Sequence, residues 1–456
     1  MSMLTNNKIN TDSKESINND SKESISNNSI NLEILLDIGL NKKKNNKKNN
    51  KKNNEKNNEK KNNFSNNSDI SLENNDKNND KNNDEKNYFS NSSDISLKNN
   101  DENNDENNDG ISSARFKNED NKCFIISLLH LLQHSIAFYM FLFDNKDNNS
   151  ESIVYNLRKL FVSSNHYRDR CLNPVGFIKA LKNIGKEWNN NEQHDSQEVL
   201  LAILEALKLE SICIDFNYGY SSSAYTTPIK FETEDDKKKT TLQISANHFL
   251  EAEEVSNHSP MKKLFSTTYV IKTKCSEKCC LSESNKFDTV DILTLNFSEA
   301  NIKKKALHLT ELLDVFIKKE ILVKNCSICG NDKAKMETLL WILPEILILH
   351  LQRTSFDSVS KGNKKIINSV EYPEILYMEK YFDGYSPHIK KSKYSLFGVN
   401  IHFANDKGDL NSGHYISYVK DKVNGKWYLF NDRENVIKLT NIQSENAYML
   451  FYERLN

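Results

Sequence analysis

The chain has 456 residues, with 62 Lys and Arg against 63 Asp and Glu. The two signs are evenly spread, 17 Lys against 20 acidic residues in the first 109 positions and 45 basic against 43 acidic thereafter, which excludes a bulk attraction to nucleic acid. The start, MSMLTNNKIN, lacks the apolar stretch of a secretory signal, and the most apolar later run, 339–351, is broken by Pro344 and Glu345, so an intracellular protein of cytoplasm or nucleus with no membrane span is expected.

Residues 1–109 contain no Cys, Pro, Trp or Arg, and their only aromatics are Phe64, Tyr88 and Phe89. So little apolar surface cannot offset the entropy of ordering a backbone, and a disordered, low-complexity extension rich in Asn, Lys and Asp is expected. Within it FSNNSDISLENND (64–76) is repeated as FSNSSDISLKNND (89–101). Two polar copies build no solenoid. Replication slippage in an A+T-rich gene explains them, with a short docking motif as the alternative. The Lys-rich run at 42–61 is interrupted by Asn and Glu and reads as solvated linker in preference to a nuclear-import signal. Only INLEILLDIGL (30–40) suits a short helix, and so short a segment is marginal alone in water.

Residues 110–456 carry all eight cysteines and are expected to fold. In a reducing compartment these are thiols, metal ligands or a nucleophile before they are disulfides. CFIISLLHLLQH (123–134) is apolar almost all round, which predicts a helix buried in the core. SQEVLLAILEAL (196–207) follows Asp195 with amphipathic spacing and predicts another. Later, short β-rich runs at 395–403, 415–419, 427–430 and 447–452 alternate with polar turns, as in an antiparallel sheet. Helices first and strands later is an α+β order.

Cys123 stands where a polar loop, KNEDNK, enters the apolar helix. The positive end of the helix dipole and the adjacent Lys122 favour a thiolate there, although a Cys opening an apolar helix is also an ordinary core thiol. NSGHYISY (411–418) sets His414 on a strand, and WYLFND (427–432) returns as its partner, bringing Asn431 and Asp432 within reach of the imidazole. A nucleophile needs an adjacent base, and the base an orienting group. His414 alone would be an ordinary half-buried strand residue; the three segments together point to a thiol hydrolase.

These segments resemble the ubiquitin-specific proteases, papain-like cysteine peptidases that cleave after the C-terminal glycine of ubiquitin. FKNEDNKCFIISLLHLL supplies Asn118, Asn121, Cys123, Phe124, Ser127, Leu129 and Leu132 at the places of the family's Cys box. QHDSQE stands intact at 193–198, and LPEILILHLQRTSF (343–356) matches the LPxxLIIHLKRF strand. Gly413, His414, Tyr415, Tyr418, Trp427, Phe430, Asn431 and Asp432 match the His box, and AYMLFYER (447–454) is also typical. The resemblance covers residue 110 to the end. It departs beside the nucleophile, where Asp120 replaces the usual Gly, Lys122 the Thr, Ile126 the Asn and His130 the Gln. If position 120 needs a positive φ, Asp is among the residues that tolerate it best.

The resemblance implies a papain-like α+β fold of thumb, palm and fingers, acting as a monomer on ubiquitin and ubiquitinated proteins. Cys123 would attack, His414 would take its proton and later protonate the leaving amine, and Asn431, with Asp432 sharing the task, would orient His414. Asn118 matches the oxyanion-stabilising side chain and equally suits a cap for the following helix. Asp195 matches a contact to the basic ubiquitin tail, or is the N-cap of the helix after it. Tyr415 is carried over as a further substrate contact. A protease for another ubiquitin-like modifier and an inactive ubiquitin-binding scaffold are the alternatives.

Cys326 and Cys329 form a CxxC ahead of Gly330, and Cys275, Cys279 and Cys280 lie upstream. Two thiolate pairs on hairpin tips are the usual recipe for a closed, structural zinc site. The family carries such pairs in its fingers, expected here at roughly 262–345. The first pair is widened, so either Cys279 or Cys280 completes the set, and a knuckle that has lost its metal is the alternative. Cys171 and Cys213 lie among apolar neighbours and read as core residues.

Overall fold

The computed structural model describes residues 110–455 apart from 146, 186–191, 212–232, 257–258, 278–279, 281, 358–361 and 405–412. The expectations for residues 1–109, Cys213 and Cys279 fall outside the described residues. The fold is α+β. Helices α1 (Cys123–His134), α2 (Ile136–Asp144), α3 (Ile153–His166), α4 (Val175–Ile184) and α5 (Ser196–Glu210) come first, followed by α6 (Glu234–Ser256) and α7 (Pro260–Phe265). Capping hydroxyls set the starts of α2 and α3: Ser135 and Ser152 accept from the N–H of Phe138 and Tyr155 at 3.2 and 3.1 Å. Every residue of α1 is buried, as its all-round apolar pattern predicts. Among the described residues no single helix is long and apolar enough to cross a membrane.

The main strands are, in chain order, β1 (Thr267–Cys275), β2 (Glu283–Val290), β3 (Leu293–Leu295), β4 (Glu320–Val323), β5 (Lys333–Ile342), β6 (Ile346–Leu351), β7 (Ile375–Tyr377), β8 (Lys393–Ala404), β9 (Gly413–Lys420), β10 (Trp427–Phe430), β11 (Ile437–Leu439) and β12 (Ala447–Arg454). Four of them make an antiparallel ribbon in the order β2, β1, β5, β4. The other eight form one sheet in the order β11, β10, β9, β8, β12, β6, β3, with β7 also paired to β8. All six residues of β6 (ILILHL) are buried, the continuous apolar run of a strand covered on both faces. One face carries a core shared with α1 to α5 and α7; the other packs on the helix Leu309–Phe316 and residues such as Tyr372 and Tyr381.

Two features seat α1 on the sheet. Gly398 of β8 leaves room for the helix, because a Cβ there would meet Leu131 Cδ2 at 2.4 Å. The buried Asn400 of β8 accepts from Ser196 Oγ and donates to Ser127 Oγ, both at 3.0 Å, tying α5 and α1 to one strand. Helix α6, largely polar, lays Leu242 and Ala246 on Val270, Phe287 and Trp341 of the ribbon. Cys171 corrects a sequence expectation: it is exposed, on a two-residue strand paired parallel with Arg115 and Phe116. Apolar neighbours in sequence do not bury a residue on a short surface strand.

Candidate active site

Cys123 is the first residue of α1 and only 2% exposed. The chain enters the helix through two consecutive left-handed residues, Asp120 at φ 58° and Asn121 at φ 60°. Asp and Asn are the non-glycine residues least strained there, so the loop dispenses with a Gly at 120. Asn118 ties the turn, its Oδ1 accepting the Lys122 N–H at 2.7 Å. Lys122 Nζ donates back to the Asp120 carbonyl at 3.3 Å, and burial lowers the pKa of its amine.

His414 is the second residue of β9, held from two sides. Gln193, just ahead of α5, pairs with Gly413 through two hydrogen bonds, donating from Nε2 to its carbonyl at 2.8 Å and accepting its N–H at 2.7 Å. A side chain at 413 has no room, since a Cβ would lie 2.1 Å from the Phe403 carbonyl oxygen. From the other side, β10 runs antiparallel to β9 and delivers Asn431 beside the imidazole. His414 Nε2 and Asn431 Oδ1 are 2.6 Å apart. With Nε2 so engaged, Nδ1 is the nitrogen left for the thiol. The hydrogen bond to Cys123 is the main reason the imidazole pKa rises to about 9, against the opposing effect of burial and with help from Asn431.

Asp432, left-handed at φ 48°, stands 4.0 Å from His414 Nε2, beyond a hydrogen bond, and supports the imidazolium by charge alone. Its Oδ2 accepts from Asn118 Nδ2 at 2.9 Å, joining the loop before Cys123 to the turn after β10. Asp195 caps α5, accepting the Gln197 N–H at 2.7 Å through Oδ1 and the Tyr448 hydroxyl at 2.5 Å through Oδ2. Tyr415 is buried, its ring stacked on His402 with centroids 4.2 Å apart. Burial, with Asp195 nearby, holds the Tyr415 phenol well above its ordinary range.

The departures near the nucleophile fit their surroundings. Ile126 packs in the core. His130 lies flat between Phe116 and Phe430, with centroids 4.6 and 3.9 Å away, and burial keeps it neutral. It therefore buttresses the residue preceding Asn431. Sequence reasoning met His130 and Gln193 only as box positions, and Glu434, which touches Asn431, not at all.

The model of the family described as ubiquitin carboxyl-terminal hydrolase matches residues 114–452. The chain belongs to the ubiquitin carboxyl-terminal hydrolase family. It is 26% identical to ubiquitin carboxyl-terminal hydrolase 23 of Arabidopsis thaliana over 352 residues, 75% of this chain and 35% of that protein. It is 26% identical to ubiquitin carboxyl-terminal hydrolase 4 of Vanderwaltozyma polyspora over 313 residues, 63% of this chain and 33% of that one. With the probable ubiquitin carboxyl-terminal hydrolase of Acanthamoeba polyphaga mimivirus it shares 22% identity over 428 residues, 74% of this chain and 89% of the viral protein. The chain thus spans about a third of the length of the first two relatives. In the family's terms the helices α1 to α5 are the thumb, the eight-stranded sheet the palm and the ribbon the fingers.

A second constellation lies at one end of the ribbon. The sulfurs of Cys275 and Cys329, and those of Cys280 and Cys326, lie 3.6 Å apart, and all four fall within 4.8 Å of one another. A tetrahedral zinc with bonds of about 2.3 Å separates its sulfurs by about 3.8 Å, so the donor set fits that metal. Gly330 at φ 70° closes the turn behind Cys329. Backbone N–H groups of Cys329 and Ile328 hold the Cys326 thiol below its ordinary range. The eight steps from Thr267 to Cys275 along β1 span about 26 Å, which sets Cys275 that far from the end of the strand that follows α7.

Proposed function

We propose that the protein is a thiol-dependent deubiquitinase that hydrolyses the peptide or isopeptide bond at the C-terminal glycine of ubiquitin on ubiquitinated proteins. The observation that carries this reading is the line from Cys123 through His414 to Asn431, in which His414 Nε2 lies 2.6 Å from Asn431 Oδ1 and the hydrogen bond with Cys123 raises the imidazole pKa. Cys123 Sγ attacks the glycine carbonyl carbon. The oxygen's developing charge meets the second hydrogen of the Asn118 amide, whose first serves Asp432, and the backbone N–H of Cys123, an unused donor of the helix start. His414 passes its Nδ1 proton to the leaving lysine amine as the C–N bond breaks and a thioester forms. It then takes a proton from the water that attacks the thioester, and ubiquitin leaves with a free carboxylate.

Asp195 and Tyr415 line the tail side of this reaction. A carboxylate accepts about four hydrogen bonds and Asp195 spends two within the protein, so it retains acceptors for a basic tail. Cys275, Cys280, Cys326 and Cys329 hold one structural zinc, which cross-links the fingertip and takes no part in bond cleavage. All three groups of the triad come from one chain, consistent with a monomer, and the reaction calls for neither nucleic acid nor membrane. A cytoplasmic or nuclear location agrees with described thiols that are free of disulfides.

Ubiquitin carrying a C-terminal thiol-reactive group tests the reading. It should form a covalent adduct with the full chain that disappears in Cys123→Ala. An adduct with another ubiquitin-like modifier alone would move the substrate class, and binding without any adduct would make the chain an inactive scaffold.

A further inference from the structure

We propose that Glu434 is a positioning residue that fixes which way the Asn431 amide faces the catalytic base; this rests on the proposed reaction. The two ends of an Asn amide are nearly the same size and opposite in hydrogen-bonding sense. Asn431 is only partly buried, so packing does not choose between them. The choice matters to catalysis. With Oδ1 toward the ring, Nε2 must carry a hydrogen and Nδ1 remains the basic nitrogen facing Cys123. With the amide reversed, Nδ2 donates to Nε2, the neutral ring shifts its hydrogen to Nδ1, and the thiol proton has nowhere to go.

Glu434 decides the matter from the far end of the amide. Its Oε2 accepts from Asn431 Nδ2 at 2.5 Å. A carboxylate is an acceptor only, so a reversed amide would press Oδ1 against it while Nδ2 lost its partner. The turn is built to keep the acid there. Glu434 N–H donates to the Asn431 carbonyl at 2.9 Å. Arg115 grips both flanking residues, donating to the Arg433 carbonyl at 3.2 Å and to Asn435 Oδ1 at 3.0 Å. Asp432, the other acid of the turn, faces Asn118 instead and is not available for this task. Of the two acids in the turn, Glu434 alone addresses the NH₂ group of Asn431.

The test is a ranking of substitutions in two backgrounds, read as kcat and KM on a fluorogenic ubiquitin substrate with the full chain. With Asn431 present, turnover should fall in the order Glu, Gln, Ala, Lys at position 434. Glu434→Gln keeps an acceptor, Glu434→Ala should lower kcat roughly three- to ten-fold with KM nearly unchanged, and Glu434→Lys should lower it further by attracting Oδ1 away from His414. In Asn431→Asp the side chain has no wrong end and Glu434 only repels it, so Glu434→Ala and Glu434→Lys should turn over faster than the same variant with Glu434. The ring tautomer, read by ¹⁵N NMR, should move from Nε2–H toward Nδ1–H in neutral His414 of the Glu434→Lys chain. The same ranking in both backgrounds would mean that Glu434 merely stabilises the turn, and unchanged turnover in Glu434→Ala would overturn the inference. Absence of turnover by the unmodified chain would instead sink the proposed reaction, leaving the tautomer measurement to judge Glu434.

Discussion

The backbone N–H of Ser112 donates to Asp421 Oδ2 at 2.7 Å, joining positions 309 residues apart. Asp421 is buried and also faces His134 Nε2 at 3.8 Å, with both side chains wholly inaccessible. Ser113 Oγ completes the group, 3.2 Å from the same imidazole nitrogen. The folded unit therefore needs its first few residues. Deleting 1–109 should leave turnover within a few-fold of the full chain. Deleting 1–113 should lower stability by roughly 1–3 kcal/mol, because a buried carboxylate loses a donor. Thermal unfolding of the two truncations decides it, and equal melting points would disprove the role given to Ser112.

For the triad, Cys123→Ala and His414→Ala should abolish turnover, whereas Asn431→Ala should leave a measurable residue, since an orienting group contributes less than the nucleophile and base it serves. Single-turnover kinetics would reveal full activity in Cys123→Ala, which would refute the nucleophile outright.

The pH dependence follows from His414. Its folded pKa of about 9 exceeds the ordinary value of 6.5, so the stability it contributes is complete below about pH 6.5 and is lost as pH rises through about 9. The side chain is 42% exposed, and solvent screening makes that contribution small. Turnover is the sharper readout and should decline above pH 9 as the proton destined for the leaving amine is lost. NMR titration of Cys123→Ala should find the imidazole moved back toward its ordinary range. A midpoint still near 9 in that variant would show that the thiol is not its partner.

Gly413→Ala should be far more damaging than a surface Gly to Ala change. The added carbon meets a backbone oxygen at 2.1 Å and His402 Nε2 at 2.6 Å, so the strand must shift, at a cost of roughly 1–3 kcal/mol and of the His414 position. Normal melting with normal turnover would contradict the close packing described.

Purified protein should contain one zinc per chain. Cys280→Ser should release it and lower the melting temperature, while Cys279→Ser should retain it. Chelation should loosen the fingers without moving the alkaline limb of the pH profile. Metal-free protein equally stable with and without chelator would mark a vestigial knuckle.

Much of this was legible in the sequence because it is written in periodicity or in short motifs. The all-apolar face of 123–134 has no outcome but a core helix, and the run 427–430 coincides with β10. Other features escaped for physical reasons. Helix α6 buries little, Leu242 and Ala246 among them, so its pattern resembles that of a solvated segment. The Gln193 pair with Gly413 links residues 220 positions apart through amide orientation, which no spacing rule encodes. Glu434 was invisible for the same reason, and Cys171 was misread because burial is decided by what the fold lays over a residue.

The place of β12 has a consequence for how the site of Cys123 and His414 comes into being. The strand lies between β8 and β6, near the middle of the palm, with the first six of its eight residues buried. During synthesis the thiol of Cys123 leaves the ribosome hundreds of residues before this strand does. Until residue 454 is out, the sheet that carries His414 lacks a central member and its apolar edges have no partner. The nascent chain therefore has the thiol of Cys123 before it has His414 held beside it, and the site is assembled only when the sheet is complete.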